Sequence, residues 1–506
     1  MRASSSGRGV ALAATLVAGV TLLPLVVVLG DALGAGDAAA RFLLRPRVGM
    51  LLGHTAALVA VTVPAAVVLG TLAAWLVERT ALPGAALWRT LLLAPLAVPA
   101  FVSAYAWVSV APSMTGFAGS ALVTTLAYFP FVFLPAAAML RVLDPGDEEA
   151  ARSLGLSPAA AMRRTVLPRL RPALTGGALL VGLHLLAEYG VLEMMRFQTF
   201  TTAVMQQYAI GFSDVSGSLL ASVLLVLCLL MLTAEVVARG RRRVSRIGPG
   251  AQRPSTPVPL GAWTVPAVVL LLVVVVLAVG VPVATVVRWL VAGRTELGAL
   301  AGDVAPVVVS TVGLAVLGAL ATLVAALPAA WLLSRRRTVA SLLLERATFV
   351  ASALPGVVVG LALVTLSVRW APGIYQTLGL LVVGYAIGFI PRSMVALRAG
   401  LAASPTELSD AARSLGLRGP SRLVRVVLPL AAPSVLAGLV LVALAVGTEL
   451  TATLLLAPTG VDTLALAFWR AAAELDYAGA APYAAAMIAL SAPATLLLRR
   501  QIVVAR

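Results

Sequence analysis

The sequence predicts an all-α polytopic membrane protein, built from two parallel six-helix repeats with about 12 transmembrane helices in total. Three observations carry this expectation. Apolar runs of about 20 residues, the length needed to span a hydrocarbon core, recur along all 506 residues. The composition is 61% hydrophobic and only 11% charged, with a mean hydropathy of +1.03, whereas a soluble chain carries about 25% charged residues. Short motifs in the first half return in the second at fixed offsets. Lipid leaves backbone groups no outside partner, and the runs are too long and continuous for barrel strands, so the spans are read as helices.

The spans fall at 10–31, 51–77, 87–110, 119–141, 174–195 and 216–238 in the first half. In the second they fall at 264–289, 304–334, 347–368, 375–399, 432–456 and 478–498. A single polar stretch, 239–262, joins the halves 1–238 and 263–506. It begins Arg239-Gly240-Arg241-Arg242-Arg243 and runs through Pro254 and Pro257, and is read as a cytoplasmic linker. With the N-terminus inside, 29 of the 37 Arg residues lie on the cytoplasmic side and eight outside, a strong positive-inside bias. Both termini are then cytoplasmic. Arg2 and Arg8 before an apolar run also fit a cleaved signal peptide, with Ala38-Ala39-Ala40 as the cleavage site. A retained helix is favoured, because the second half opens with an extra span at the equivalent place.

Ala73-Ala74-Trp75-Leu76 returns as Ala329-Ala330-Trp331-Leu332, Val98-Pro99 as Leu354-Pro355, and Phe133-Leu134-Pro135 as Phe389-Ile390-Pro391, all 256 residues on. Each half holds an even number of spans, so the halves share one orientation. A parallel repeat of this kind places a pathway between its halves. Pro99, Pro135, Pro355 and Pro391 are expected to kink helices.

The strongest repeat is polar. Glu149-Ala150-Ala151-Arg152-Ser153-Leu154-Gly155-Leu156 returns 261 residues later as Asp410-Ala411-Ala412-Arg413-Ser414-Leu415-Gly416-Leu417. Val166-Leu167-Pro168 and Val427-Leu428-Pro429 follow at the same spacing. The two loops, 142–172 and 400–431, lie on the cytoplasmic side. Asp144-Pro145-Gly146-Asp147 and Ser404-Pro405-Thr406-Glu407 supply helix starts. Gly155 and Gly416 supply left-handed stops. Each loop is therefore expected to hold a short helix, a tight turn, and a second helical segment that stops before Leu-Pro. The small Ala pair allows another surface to approach closely. Two copies at matched spacing point to a symmetric docking surface rather than to two solvated loops.

These residues resemble the cytoplasmic coupling signature of binding-protein-dependent ABC importer permeases: Glu-Ala-Ala, three residues, Gly, nine residues, then Ile-x-Leu-Pro. The first copy matches at Glu149, Ala150, Ala151, Gly155, Leu167 and Pro168, with Thr165 in place of Ile. The second matches at Ala411, Ala412, Gly416, Leu428 and Pro429, with Asp410 for Glu and Val426 for Ile. The resemblance implies the type I ABC importer permease fold. It also implies coupling helices at 147–155 and 407–416 that dock on two copies of an ABC ATPase, and an extracytoplasmic solute-binding protein. A chain with both halves fused is similar to the iron(III), thiamine and phosphonate types. The stretches Glu188-Tyr189-Gly190 with Phe197–Thr202, and Glu449–Leu456 with Asp462–Ala465, look most like the iron(III) type.

Composition removes other functions. The chain has no Lys, so it cannot be a Lys-dependent P-loop ATPase or form a Lys Schiff base; ATP and Mg belong on a partner. The single Cys228 and the two residues His54 and His184 leave no Cys or His metal cluster. The spans hold no clustered catalytic set, so no enzymatic activity is expected. The basic excess follows topology and does not form a nucleic-acid surface. Glu188 and Glu449, again 261 apart, are expected about 14 and 17 residues into the fifth spans of their halves. At that depth they would flank a translocation path for a cationic solute or make interhelical hydrogen bonds. His184, one turn earlier, is a candidate partner for Glu188. The chain is thus expected to be a fused importer permease in the bacterial cytoplasmic membrane, carrying ferric iron by alternating access. Thiamine or phosphonate is the alternative solute, and an ion-coupled secondary transporter the alternative class.

Overall fold

The computed structural model describes residues 5–210, 215–239, 257–293, 297–335, 344, 347–348, 354–402, 406–417, 420–422, 425–426 and 428–504. Most of the predicted linker, the start of the ninth span, and Ser404-Pro405 of the second capping box lie outside the described residues. So do the side chains of Thr406, Glu407 and Asp410. Regular structure among the described residues is helical, apart from one isolated bridge between Thr80 and Val258.

Nine helices in the described residues are long and apolar enough to cross a membrane, and a bent pair makes a tenth span. The bent pair is the predicted 87–110 span. It breaks into Ala85–Ala97 and Ala100–Val110 at an angle of 89°. Val98 is extended there, and Pro99, with φ −55° and ψ 139°, precedes the second helix. A Pro pushes the residue before it out of the helical region, so the break falls where the sequence puts Pro99. Pro355 takes the same place before Gly356–Trp370. Pro135 and Pro391 instead lie inside Pro130–Val142 and Leu378–Ala402. Tyr477–Val504 covers the twelfth predicted span.

The chain forms two compact units, cut differently from the sequence halves. One comprises Met1–Arg45, Val204–Leu225 and Thr295–Ala471; the other comprises Pro46–Ala203, Val226–Arg294 and Ala472–Arg506. Each unit is built on one copy of the repeat and takes its opening helix from the other half of the sequence. In the first, Ala14 of Ser5–Gly34 is buried with Ala326, Ala329, Ala330 and Leu333 of Leu297–Arg335 and with Ile390, Met394 and Leu397. In the second, Ala73 and Ala74 are buried with Phe129, Phe133, Ala136 and Ala137, and Ala267, Leu271, Val274 and Ala278 join the same core. The repeated Ala-Ala pairs thus face inward in both units.

Small residues set the helix spacing. A Cβ on Gly70 would fall 2.8 Å from the Phe129 carbonyl oxygen, and one on Gly177 would fall 2.9 Å from the Val132 Cα. Backbones that approach this closely gain the dispersion contacts that hold helices together where lipid removes the hydrophobic driving force.

Candidate functional site

The first polar loop starts with Asp144, whose Oδ1 accepts the Gly146 N–H at 2.9 Å. The helix Gly146–Ser153 follows, with Asp147, Glu148 and Glu149 in its first turn and Arg152 in its last. That distribution matches the helix dipole at both ends. The helix closes with a Schellman motif. The Gly155 N–H donates to the Arg152 carbonyl at 2.9 Å and the Leu156 N–H to the Ala151 carbonyl at 3.2 Å. The second loop repeats this after Thr406–Ser414. There the Gly416 N–H donates to Arg413 at 3.0 Å and the Leu417 N–H to Ala412 at 2.9 Å. Gly155 and Gly416 have φ of 88° and 83°, in the region that costs an L side chain most.

The Ala pairs divide their labour. Ala150 and Ala411 are exposed, while Ala151 and Ala412 are 8% and 5% exposed and accept the closing hydrogen bonds. Only the first Ala of each pair is open to another surface. Sequence reasoning missed the side chain that stands furthest out. Leu154 and Leu415, just before the glycines, are 85% and 83% exposed. The available signal was a repeated apolar residue inside an otherwise polar helix end.

The return leg differs from expectation. Pro158–Ala161 does not stop before Leu-Pro; it passes through a π-turn, Met162–Val166, directly into Leu167–Ala187. Pro168 lacks an N–H and its ring crowds the preceding turn, and a wider turn relieves both conflicts. Leu167 and Pro168 are exposed at the head of this helix, as are Leu428 and Pro429 at the head of Leu428–Gly447. An ion pair between Asp147 and Arg169 ties the short helix to the return leg.

Glu188 and Glu449 require a correction of depth. The helices that precede them begin earlier than expected and end at Ala187 and Gly447. Each Glu therefore sits at a break and not inside a span. Short helices, Gly190–Met194 and Thr451–Leu456, follow at once. The Val191 N–H donates to Glu188 Oε1 at 2.9 Å and the Ala452 N–H to Glu449 Oε1 at 3.0 Å. The physical reason is that the N–H groups free at a helix start satisfy a carboxylate that lipid cannot. The surroundings differ. The Tyr128 hydroxyl donates to Glu188 Oε2, whereas Glu449 lies in the field of the Arg392 guanidinium. A Cβ at Gly356 would stand 3.0 Å from Glu449 Oε1. His184 donates from Nδ1 to the Leu180 carbonyl at 2.8 Å and packs on Phe131 at 4.4 Å between ring centroids.

The stretches quoted for their iron-type look share one construction. Phe200–Ile210 and Leu464–Ala473 each begin on a hydroxyl from a distant helix. Thr55 Oγ1 accepts the Phe200 N–H at 3.3 Å, and Thr311 Oγ1 accepts the Leu464 N–H at 2.8 Å. Thr55 and Thr311 are 256 residues apart, so the caps belong to the repeat. Among the described residues no group of three or more His, Cys, Asp and Glu side chains could hold a metal ion.

The family model described as "binding-protein-dependent transport system inner membrane component" matches residues 66–244 and 318–502, once in each half. The chain is 34% identical over 471 residues to the Fe(3+)-transport system permease protein FbpB 2 of Haemophilus influenzae, covering 90% of this chain and 91% of the relative. It is 31% identical over 186 residues to the sulfate transport system permease protein CysT of Salmonella typhimurium, covering 33% of this chain and 67% of that protein. Sulfate permease 2 of Chlamydomonas reinhardtii is 30% identical over 169 residues, 29% of this chain and 46% of that protein.

Proposed function

The chain belongs to the family of binding-protein-dependent transport system inner membrane components, and from that premise we propose that it is the fused permease subunit of an ATP-driven importer of ferric iron. The observation that carries the solute is the likeness to an Fe(3+)-transport permease over nine-tenths of both chains. The sulfate permeases align over only about a third of this one.

In this proposal the helices Gly146–Ser153 and Thr406–Ser414 each dock on one copy of an ABC ATPase in the cytoplasm. ATP and Mg bind to those partners. A binding protein outside the bacterial cytoplasmic membrane delivers the ion, and both termini lie in the cytoplasm. The positive-inside distribution of Arg supports this orientation. The matched Schellman turns and the apical Leu154 and Leu415 support docking, since each loop presents an exposed apolar side chain at the glycine end of its short helix. ATP-driven closure of the partners moves both helices, and the protein alternates between outward-open and inward-open states. Glu188 and Glu449 act on the passing cation. A carboxylate is a hard oxygen ligand suited to a hard ion, and a second bond, to a helix start, keeps each site weak enough for release.

The test is uptake of radio-iron in a deletion strain lacking other iron importers, scored beside labelled thiamine and sulfate. Loss of iron uptake alone supports the assignment. Normal iron uptake with loss of either other solute overturns it. An ATPase that co-purifies with the chain separates an importer from an ion-coupled transporter.

A further inference from the structure

The first coupling loop begins beside a buried carboxylate. Glu78, at the end of Pro46–Arg79, is 2% exposed in its side chain and is gripped by two guanidinium groups. Arg89, on Ala85–Leu91, donates from Nε and Nη2 to the two oxygens, both at 2.9 Å. Arg141, in the last turn of Pro130–Val142, donates from Nε at 2.8 Å and Nη2 at 2.7 Å. Two bidentate forks fill the lone-pair directions of one carboxylate.

The next residue adds a second rung. Arg79 donates from Nη2 to the Leu143 carbonyl at 3.4 Å, and Glu148 of the coupling helix lies in the Arg79 field. Residues 78 and 79 thus hold 141 and 143, fixing the loop root against both sliding and rotation. The end of the interhalf linker joins the same point. The Val258 N–H donates to the Arg79 carbonyl and the Ala81 N–H to the Val258 carbonyl, each at 2.9 Å.

The matched positions of the second half carry other residue types. The positions matched to Glu78 and Arg89 are Ser334 and Glu345, those matched to Asp147 and Arg169 are Leu408 and Leu430, and Leu140-Arg141 is paralleled by Leu397-Arg398; Glu345 and the Ser334 side chain lie outside the described residues. Leu397 is buried in the apolar cluster with Leu333 and Ala330. A bidentate ion pair has one geometry and so fixes the direction as well as the distance of the groups it joins.

We propose that Glu78 is a positioning residue for energy coupling: its clamp with Arg89 and Arg141 makes the first coupling loop a rigid lever that moves with Pro46–Arg79. The proposal rests on the coupling-loop reading above. The experiment uses the full transporter with its ATPase and iron-loaded binding protein in proteoliposomes, measuring iron moved per ATP hydrolysed at equal amounts of assembled complex. Glu78→Gln lowers that ratio roughly five-fold or more, the lower end of coupling between sites, with the ATPase still bound. Ser334→Ala, at the matched position, leaves it unchanged. If Glu78→Gln does not reach the membrane, Arg141→Lys replaces it, keeping the charge but losing the fork, and the same fall is expected. A wild-type ratio in the assembled Glu78 or Arg141 variant overturns the lever, as does an equal fall in Ser334→Ala. Absence of binding-protein-stimulated hydrolysis in the wild type overturns the coupling-loop reading itself.

Discussion

Replacing Gly155 and Gly416 by Val tests whether the turn geometry of the polar loops is what the partner reads. Both glycines have strongly positive φ, 88° and 83°. A Cβ built on either meets nothing within 4 Å. Val therefore introduces backbone strain without a clash, which separates conformation from packing. Holding an L residue left-handed costs about 1–2 kcal/mol, more when it is β-branched. If the backbone relaxes instead, the loop loses the two Schellman hydrogen bonds at each glycine, about 1 kcal/mol apiece. By either route the presented conformation loses roughly a factor of 5–30 in population at each loop. The assay is ATPase activity stimulated by the binding protein in proteoliposomes. Gly155→Val with Gly416→Val is expected to insert normally and lose that stimulation. Asn at both positions, which tolerates the left-handed region, is expected to retain most of it. Wild-type stimulation in the double Val variant refutes the docking role of these turns.

Glu188→Gln with Glu449→Gln keeps an amide oxygen to cap Val191 and Ala452 but removes both charges. Iron uptake is expected to slow while the ATPase still co-purifies; uptake at the wild-type rate removes the path role and leaves only the caps. Gly70→Ala pushes a methyl group against the Phe129 carbonyl, 2.8 Å away, and is expected to destabilise the protein by about 1–3 kcal/mol, as overpacking does. The midpoint of thermal unfolding in detergent reads this, and an unchanged midpoint contradicts the close helix approach at that position.

Hydropathy made the long helices legible, since a span announces itself by length and apolarity alone. The Gly-terminated loop helices were legible because capping and left-handed stops depend on local chemistry. Three features were not. The 89° bend at Pro99 lies inside one continuous apolar run, where hydropathy sees no interruption. The helix breaks before Glu188 and Glu449 depend on N–H donors three residues ahead, a pairing that becomes visible only once the backbone has turned. The π-turn before Leu167-Pro168 keeps the helix going where a Pro rule based on normal register ends it. Among the site residues, the inward turn of Ala151 and Ala412 follows from the rotation of a helix of eight or nine residues, too short for periodicity to set its face. The clamp on Glu78 draws on residues 78, 89 and 141, and nothing in their spacing marks them as neighbours.

The exchange of opening helices imposes an order on biosynthesis. The unit that starts at Pro46 takes in Val226–Arg294 and closes with Ala472–Arg506. Its last helices leave the ribosome some 270 residues after Ala203, roughly 14–54 s later at 5–20 residues per second. Through that interval the early helices stand in the bilayer with incomplete neighbours, and Tyr105 waits for the Tyr477 carbonyl to which its hydroxyl donates. A ribosome that stops in the linker leaves neither unit finished, so an incomplete chain exposes unfinished helix faces to the enzymes that clear the membrane. Making both halves as one polypeptide removes the search for a second chain during the period when those faces are open.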